Sequence, residues 1–308
     1  MPNFEDWFFK FNSWSFSRHQ LMNFCKRAYY YRYIGGALKY SPVLDVPKIK
    51  RLKKLKSKFV IQGTLIHDAI EDQINQHYLG RNLNQESAQE QYLKRLNGFQ
   101  ITADDMIIEY FNGEKRDTAF FDGIRSSGLE MLDTFFKIVW PIFKPLDYLR
   151  HEKFDNFTIA NVPVTVKLDY ITQNKDGKLV LSDWKTGKER KENNLQIGVY
   201  VLWAMEHYKK TSEDIYSEVI FLGSSGRTHP YKFSSDELDE IKKIIISDFE
   251  SMNVSYEIDR FPVDPFPKKC MLCQFASICP DSKHKETQAG IQIDSSVDLV
   301  SDMLVDIE

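Results

Sequence analysis

Val162-Pro163-Val164-Thr165-Val166-Lys167-Leu168-Asp169-Tyr170-Ile171, a break at Gln173-Asn174-Lys175-Asp176-Gly177, and Lys178-Leu179-Val180-Leu181-Ser182-Asp183-Trp184-Lys185 read as two β-branched strands around a hairpin turn. The Asp-Gly pair is the turn signal. Residues two apart on a strand share a face, so the Asp183 carboxylate and the Lys185 ammonium project together, and cross-strand pairing can bring Asp169 beside them. Two carboxylates on one face repel each other unless a hard divalent cation with oxygen ligands accompanies them. In phosphodiester hydrolysis such a cation lowers the pKa of a water and offsets charge on the phosphate, and Lys185 can orient that water or stabilise the same charge. An isolated Asp-x-Lys triplet is also a common surface charge pair, so the context matters.

Phe157-Thr158-Ile159 reads as a further strand segment, Leu195 to Tyr208 as a strongly apolar helix, Ser217 to Leu222 as a strand, and Ser235 to about Tyr256 as a final helix. Strand, hairpin, strand, helix, strand predicts an α/β fold with a mixed sheet and helices packed on it. Upstream, Leu21, Phe24, Cys25, Ala28 and Tyr29 recur at helical spacing within Trp14 to Tyr33, predicting a short amphipathic helix. Gly63 precedes a second helix with Leu65, Ile66, Ala69, Ile70 and Ile74 on one side and His67 on its first turn. From about Gln76 to Pro145 the pattern is helical and charged, with Met131 to Val139 its clearest apolar stretch, and reads as a helical insertion.

The order Lys167-Leu168-Asp169, hairpin, Leu181-Ser182-Asp183-Trp184-Lys185-Thr186-Gly187-Lys188, then Gln196-Ile197-Gly198-Val199-Tyr200 resembles the PD-(D/E)XK nuclease superfamily, and within it the branch of RecB-like exonucleases that includes CRISPR-associated nucleases and the AddB nuclease domain. The resemblance runs over nearly the whole chain and implies a restriction-endonuclease-like core. It implies that Asp169 and Asp183 bind metal, with Lys185 completing the acidic-x-Lys element. His67, in Gly63-Thr64-Leu65-Ile66-His67, matches the histidine that adds a ligand to that metal; an imidazole among oxygens suits Mn²⁺ better than Mg²⁺. Gln196 and Tyr200, four apart on one helical face, match a Gln-x-x-x-Tyr motif near the active site and the DNA strand. Glu152 stands where the branch often has Glu. Val166 replaces a Gly common three residues before the metal Asp, which removes no catalytic group.

Cys270, Cys273 and Cys279 form C-x2-C-x5-C, and Cys25 is the only other cysteine. Together they make a four-cysteine set that both zinc and an iron–sulfur cluster accept, and holding it requires the ends of the chain to meet. The same one-plus-three arrangement occurs in the RecB-like branch, so the resemblance implies a structural 4Fe-4S cluster in a C-terminal lobe. On this reading the chain divides into an N-terminal segment (1–62), the helix with the motif histidine plus the helical insertion (63–150), a nuclease core (151–260), an iron–sulfur lobe (261–282) and an acidic tail (283–308).

Length (308 residues) and 42% hydrophobic content allow a substantial core and an extra lobe. No run of about 18 apolar residues is present and the N-terminus is acidic and aromatic, pointing to a cytoplasmic protein without membrane association. The net charge of -3 carries no global nucleic-acid signature, but Lys48 to Lys58 is densely basic, either as a solvated face or in contact with phosphates. Tyr29, Tyr30, Tyr31 and Tyr33, interleaved with Lys26, Arg27 and Arg32, suit base stacking on a single strand, while core packing accounts for some of them equally well. Asp294, Asp298, Asp302 and Asp306 recur every four residues against Val297, Val300, Leu304 and Ile307. That acidic amphipathic tail is read as a solvating tail, a dock for a helicase or recombination protein, or a cover for a basic DNA channel. No Walker A pattern occurs, so any unwinding needs another protein. The resemblance implies a Mg²⁺- or Mn²⁺-dependent DNA exonuclease acting on single-stranded or end-bearing DNA in recombination, repair, phage replication or CRISPR adaptation. The alternative is a non-catalytic DNA-binding or assembly subunit of a helicase–nuclease complex.

Overall fold

The computed structural model describes residues 12–187 and 193–283. Its α-helices are α1 (Phe16–Phe24), α2 (Lys26–Tyr29), α3 (Val46–Leu52), α4 (Lys58–Tyr78), α5 (Gln85–Ile101), α6 (Ala103–Met106), α7 (Ile108–Phe111), α8 (Thr118–Thr134), α9 (Trp140–Phe143), α10 (Asn193–Tyr208), α11 (Ser235–Met252) and α12 (Pro267–Met271). The strands are β1 (Asp147–Ile159), β2 (Val162–Gln173), β3 (Leu179–Lys185), β4 (Ile215–Phe221) and β5 (Arg227–Tyr231). The chain forms two compact units: Met1–Ile61 with Gly98–Thr118 and Asp248–Glu308, and Gln62–Asn97 with Ala119–Ser247.

The second unit holds one five-stranded sheet in the order β1-β2-β3-β4-β5. β1, β2 and β3 pair antiparallel, β3 and β4 pair parallel, and β5 returns antiparallel. A parallel pair needs a crossover, which α10 supplies. The β2–β3 turn closes where expected: the Asn174 carboxamide oxygen accepts from Asp176 and Lys178 N–H, and Gly177 takes φ +77°. Burial along β2 alternates from Val162 to Leu168 and is then continuous to Thr172. The change marks the point where β3 joins the far edge of β2, from Tyr170↔Ser182 onward, and the strand becomes central. β3 is buried at all but its last residue. Gly198 on α10 admits a close neighbour, because a Cβ there would lie 2.2 Å from Ile241 Cδ1. The expected mixed sheet is present. β4 begins two residues earlier than read, α11 stops at Met252, and β1 and β5 are longer or additional strands whose polar alternation hid them.

In the first unit the expected helix from Trp14 to Tyr33 is interrupted. Cys25 is extended (φ −166°, ψ 117°), with its N–H still bonded to Leu21 C=O, so α1 and α2 are separate helices. A π-turn follows at Tyr30–Ile34. Helix α4 starts at Lys58, so Gly63 lies inside it and His67 is on its third turn, contrary to the sequence reading. Its start is set by Glu109 of α7, whose two carboxylate oxygens both accept from Lys58 N–H at 3.1 Å, with Ser57 Oγ donating at 2.7 Å. A cap supplied fifty residues downstream leaves no local sequence mark. Among the described residues no helix is long and apolar enough to cross a membrane. The acidic tail lies outside the described residues, as does the Glu152 side chain, though Glu152 itself belongs to β1.

Candidate active site

At the end of β3 the ladder to β2 stops at Ser182, which frees the peptide groups of Trp184. Both are taken by acid and base side chains. Trp184 N–H donates to Asp169 Oδ2 at 2.8 Å, and Trp184 C=O accepts from His67 Nε2 at 2.9 Å. A carbonyl can only accept, so Nε2 carries the ring proton when the imidazole is neutral, and Nδ1 presents a lone pair. That Nδ1 lies 3.5 Å from Asp169 Oδ1. Two lone-pair atoms facing each other are stable only with a proton or a cation between them. Lys185 Nζ lies 3.1 Å from Asp183 Oδ2, so the two side chains share a face as expected.

Trp184 itself is fully buried, its indole edge-on to Phe135 (5.4 Å) and tilted on Tyr170 (5.7 Å). Packing of the indole fixes the peptide, and the peptide fixes His67 and Asp169. Side-chain exposure falls from 25% at His67 through 12% at Lys185 and 9% at Asp169 to 3% at Asp183. The corner therefore has low water access, and charge interactions there are strong.

Gln196 Nε2 donates to Tyr200 Oη (2.9 Å), which donates to Lys167 C=O (2.7 Å). Both side chains are only 7% exposed. The pair ties α10 to the backbone two residues before Asp169, while Gln196 Oε1 has no hydrogen-bond partner among the described residues. Sequence reasoning missed the part taken by Trp184, because main-chain donors and acceptors carry no residue-type signal.

In the first unit Cys25, Cys270, Cys273 and Cys279 are free and half-buried. They line one cavity, open to solvent, together with Phe24, Tyr31 and Phe275. Burial pushes the Cys273 thiol well above the usual range, and Cys25, Cys270 and Cys279 push it further. Cys279 is raised by burial and by Cys25. The four sulfurs thus share one electrostatic neighbourhood, whose mutual repulsion as thiolates a cationic group offsets. Asn112, at the C-terminal cap of α7, holds the loop, donating to Met271 C=O (2.7 Å) and Cys273 C=O (3.0 Å). Among the described residues no three His, Cys, Asp or Glu side chains converge tightly enough to hold a single metal ion, here or beside Asp169. Tyr29, Tyr30 and Tyr31 are buried, packing on Phe261 and Phe275, which removes them as base-stacking groups.

A mixed sheet flanked by helices, with two aspartates and a lysine gathered where the central antiparallel ladder opens, defines a restriction-endonuclease-like α/β protein. The PD-(D/E)XK nuclease superfamily model matches residues 13–280, and the chain belongs to that superfamily. No curated protein matches it.

Proposed function

We propose that the protein is a divalent-metal-dependent DNA nuclease, exonucleolytic on single-stranded or end-bearing DNA, with a 4Fe-4S cluster on its four cysteines. One observation carries the nuclease reading: the Trp184 peptide holds both His67 and Asp169, with His67 Nδ1 3.5 Å from Asp169 Oδ1, beside the Asp183–Lys185 pair. The donor types suit a divalent ion, and His67, Asp169 and Asp183 would hold it once drawn closer together than they stand here, the imidazole favouring Mn²⁺ over Mg²⁺. When bound, the ion supplies Lewis acidity, acidifying a water and offsetting charge on the phosphate. Lys185, oriented by Asp183, places a fixed positive charge where the phosphate becomes more negative. Trp184 excludes water from behind the two aspartates, and Gln196 with Tyr200 holds the Lys167–Asp169 backbone in place.

The cluster reading rests on the shared cavity and the thiol donors. Zinc and an iron–sulfur cluster both accept four thiolates, and the likeness of the one-plus-three cysteine arrangement to the RecB-like branch favours the cluster. The acidic tail is proposed to dock on a helicase or recombination protein; deletion of residues 291–308 that changes neither DNA affinity nor co-purifying partners refutes this.

End-labelled single- and double-stranded DNA incubated with the protein and Mn²⁺ tests the reading. Loss of label by the wild type and its retention with Lys185→Ala are expected, and equal degradation by both removes Lys185 from the chemistry.

A further inference from the structure

Positive charge gathers around Tyr33 in the first unit. The Arg18 guanidinium stands 4.5 Å from the Tyr33 ring centroid and that of Arg32 5.8 Å from it. Lys53, just beyond α3, lies across Gly36, where a Cβ would fall 2.7 Å from Lys53 Cδ and 3.2 Å from Nζ. The side chain occupies that place only because residue 36 has no Cβ. Burial, then Arg32, Arg18 and Lys50 in that order, hold the Lys53 ammonium below the usual lysine range, and no carboxylate opposes them. Arg18 Nη1 is buried, and the oxygen beside its guanidinium, Tyr29 Oη, belongs to an uncharged group that leaves the positive charge unbalanced. Among the described residues neither Arg18 nor Lys53 makes an ion pair with a carboxylate. Arg32 is oriented by Gln274 Oε1 at 3.3 Å. Elsewhere in the basic run Lys48, Lys50 and Arg51 are exposed on the outer side of α3, Arg51 beside Asp105, while Val46, Ile49 and Leu52 face inward.

Like charges assembled in a half-buried place raise the cost of folding, since each is partly dehydrated and repelled by the others. Such a cluster is stabilised when an anion enters, and guanidinium groups match phosphate oxygens through paired N–H donors. We propose that Arg18, Arg32 and Lys53 form a phosphate-binding site for the backbone of a nucleic-acid strand, distinct from the Asp169–Asp183–Lys185 corner. The proposal deepens the nuclease reading and rests on it for the identity of the ligand.

The test is binding of a fluorescein-labelled single-stranded oligonucleotide to the full chain in EDTA, across a salt series, with cleavage in Mn²⁺ scored separately. Lys53→Met keeps the alkyl stem over Gly36 and removes the charge. Lys53→Met and Arg18→Met are each expected to weaken binding roughly tenfold and to flatten the slope of log affinity against log salt by about 0.7. Because folding depresses the Lys53 pKa, the neutral side chain is also expected to raise the unfolding temperature at pH 7. A merely structural lysine would lower it. Wild-type affinity and slope in both variants overturn the phosphate site while persistent Mn²⁺ cleavage leaves the nuclease reading intact. Weakened binding in both, with no cleavage by the wild type, supports the site and removes the nuclease. Reduced affinity with an unchanged slope and a lowered unfolding temperature also overturns it. Displacement of the oligonucleotide by inorganic phosphate at matched phosphate concentration reassigns the cluster to a small anion and overturns the strand assignment.

Discussion

Glu109→Gln isolates one buried charge whose cost depends on pH. Glu109 is 2% exposed, and burial raises its carboxyl from 4.5 to about 7 despite the donors from Ser57 and Lys58. The folded state therefore binds the proton more tightly than the unfolded chain. Stability contributed by the neutral form is fully present below about 4.5 and is lost as pH rises through about 7. The gap corresponds to about 3 kcal/mol. Glutamine never ionises and keeps one acceptor for the first turn of α4, but gives up the second oxygen on Lys58 N–H, at about 1 kcal/mol. The variant should thus be about 2 kcal/mol more stable than wild type at pH 8, with the advantage gone by about pH 5. Denaturant midpoints read by tryptophan fluorescence at several pH values give the difference, in which other titrating groups cancel. A variant less stable at pH 8, or a difference that does not change with pH, refutes the reasoning. The outcome bears on function because this cap sets the start of the helix that carries His67.

Tyr200→Phe removes the hydroxyl between Gln196 and Lys167 C=O, deleting one buried and one part-buried hydrogen bond. It should cost about 1–3 kcal/mol in denaturant unfolding and lower nuclease kcat more than it raises KM, since the pair positions Asp169 without touching the reacting atoms. Asn112→Ala deletes both donors to the cysteine loop; on the cluster reading, purified protein should lose part of its broad absorption near 400 nm, as Cys25→Ser should lose all of it. Gly198→Ala forces a methyl into Ile241 and Phe233 and should destabilise by about 1–3 kcal/mol, measurable as a shift in denaturant midpoint.

Much of the sheet was legible because its strands obey period two and its turn carries Asp-Gly, so the placement of Asp183 and Lys185 on one face followed from spacing alone. The meeting of Cys25 with three cysteines far downstream was legible as a donor count. What escaped depends on groups without a sequence signature. The Trp184 peptide fixes Asp169 and His67 through main-chain atoms, and the ladder opening that frees it is a property of strand pairing. The α4 cap comes from Glu109, too distant in sequence for the capping rules that placed the helix start at Gly63. Tyrosines 29 to 31 looked like stacking groups because alternation with arginine does not reveal burial. Lys53 was hidden within a basic run in which Lys48, Lys50, Arg51 and Lys54 are exposed, and its position over Gly36 sets it apart.

The central claim is that two aspartates at the mouth of the β2–β3 ladder serve a divalent ion in cutting DNA. Release of terminal label from single-stranded DNA, followed across a Mn²⁺ titration with wild type and Asp183→Asn at equal protein, tests it most directly. Metal-dependent release that saturates for the wild type and falls by at least about a hundredfold in the variant is expected. Release that is independent of Mn²⁺, or undiminished when residue 183 is neutral, contradicts the account.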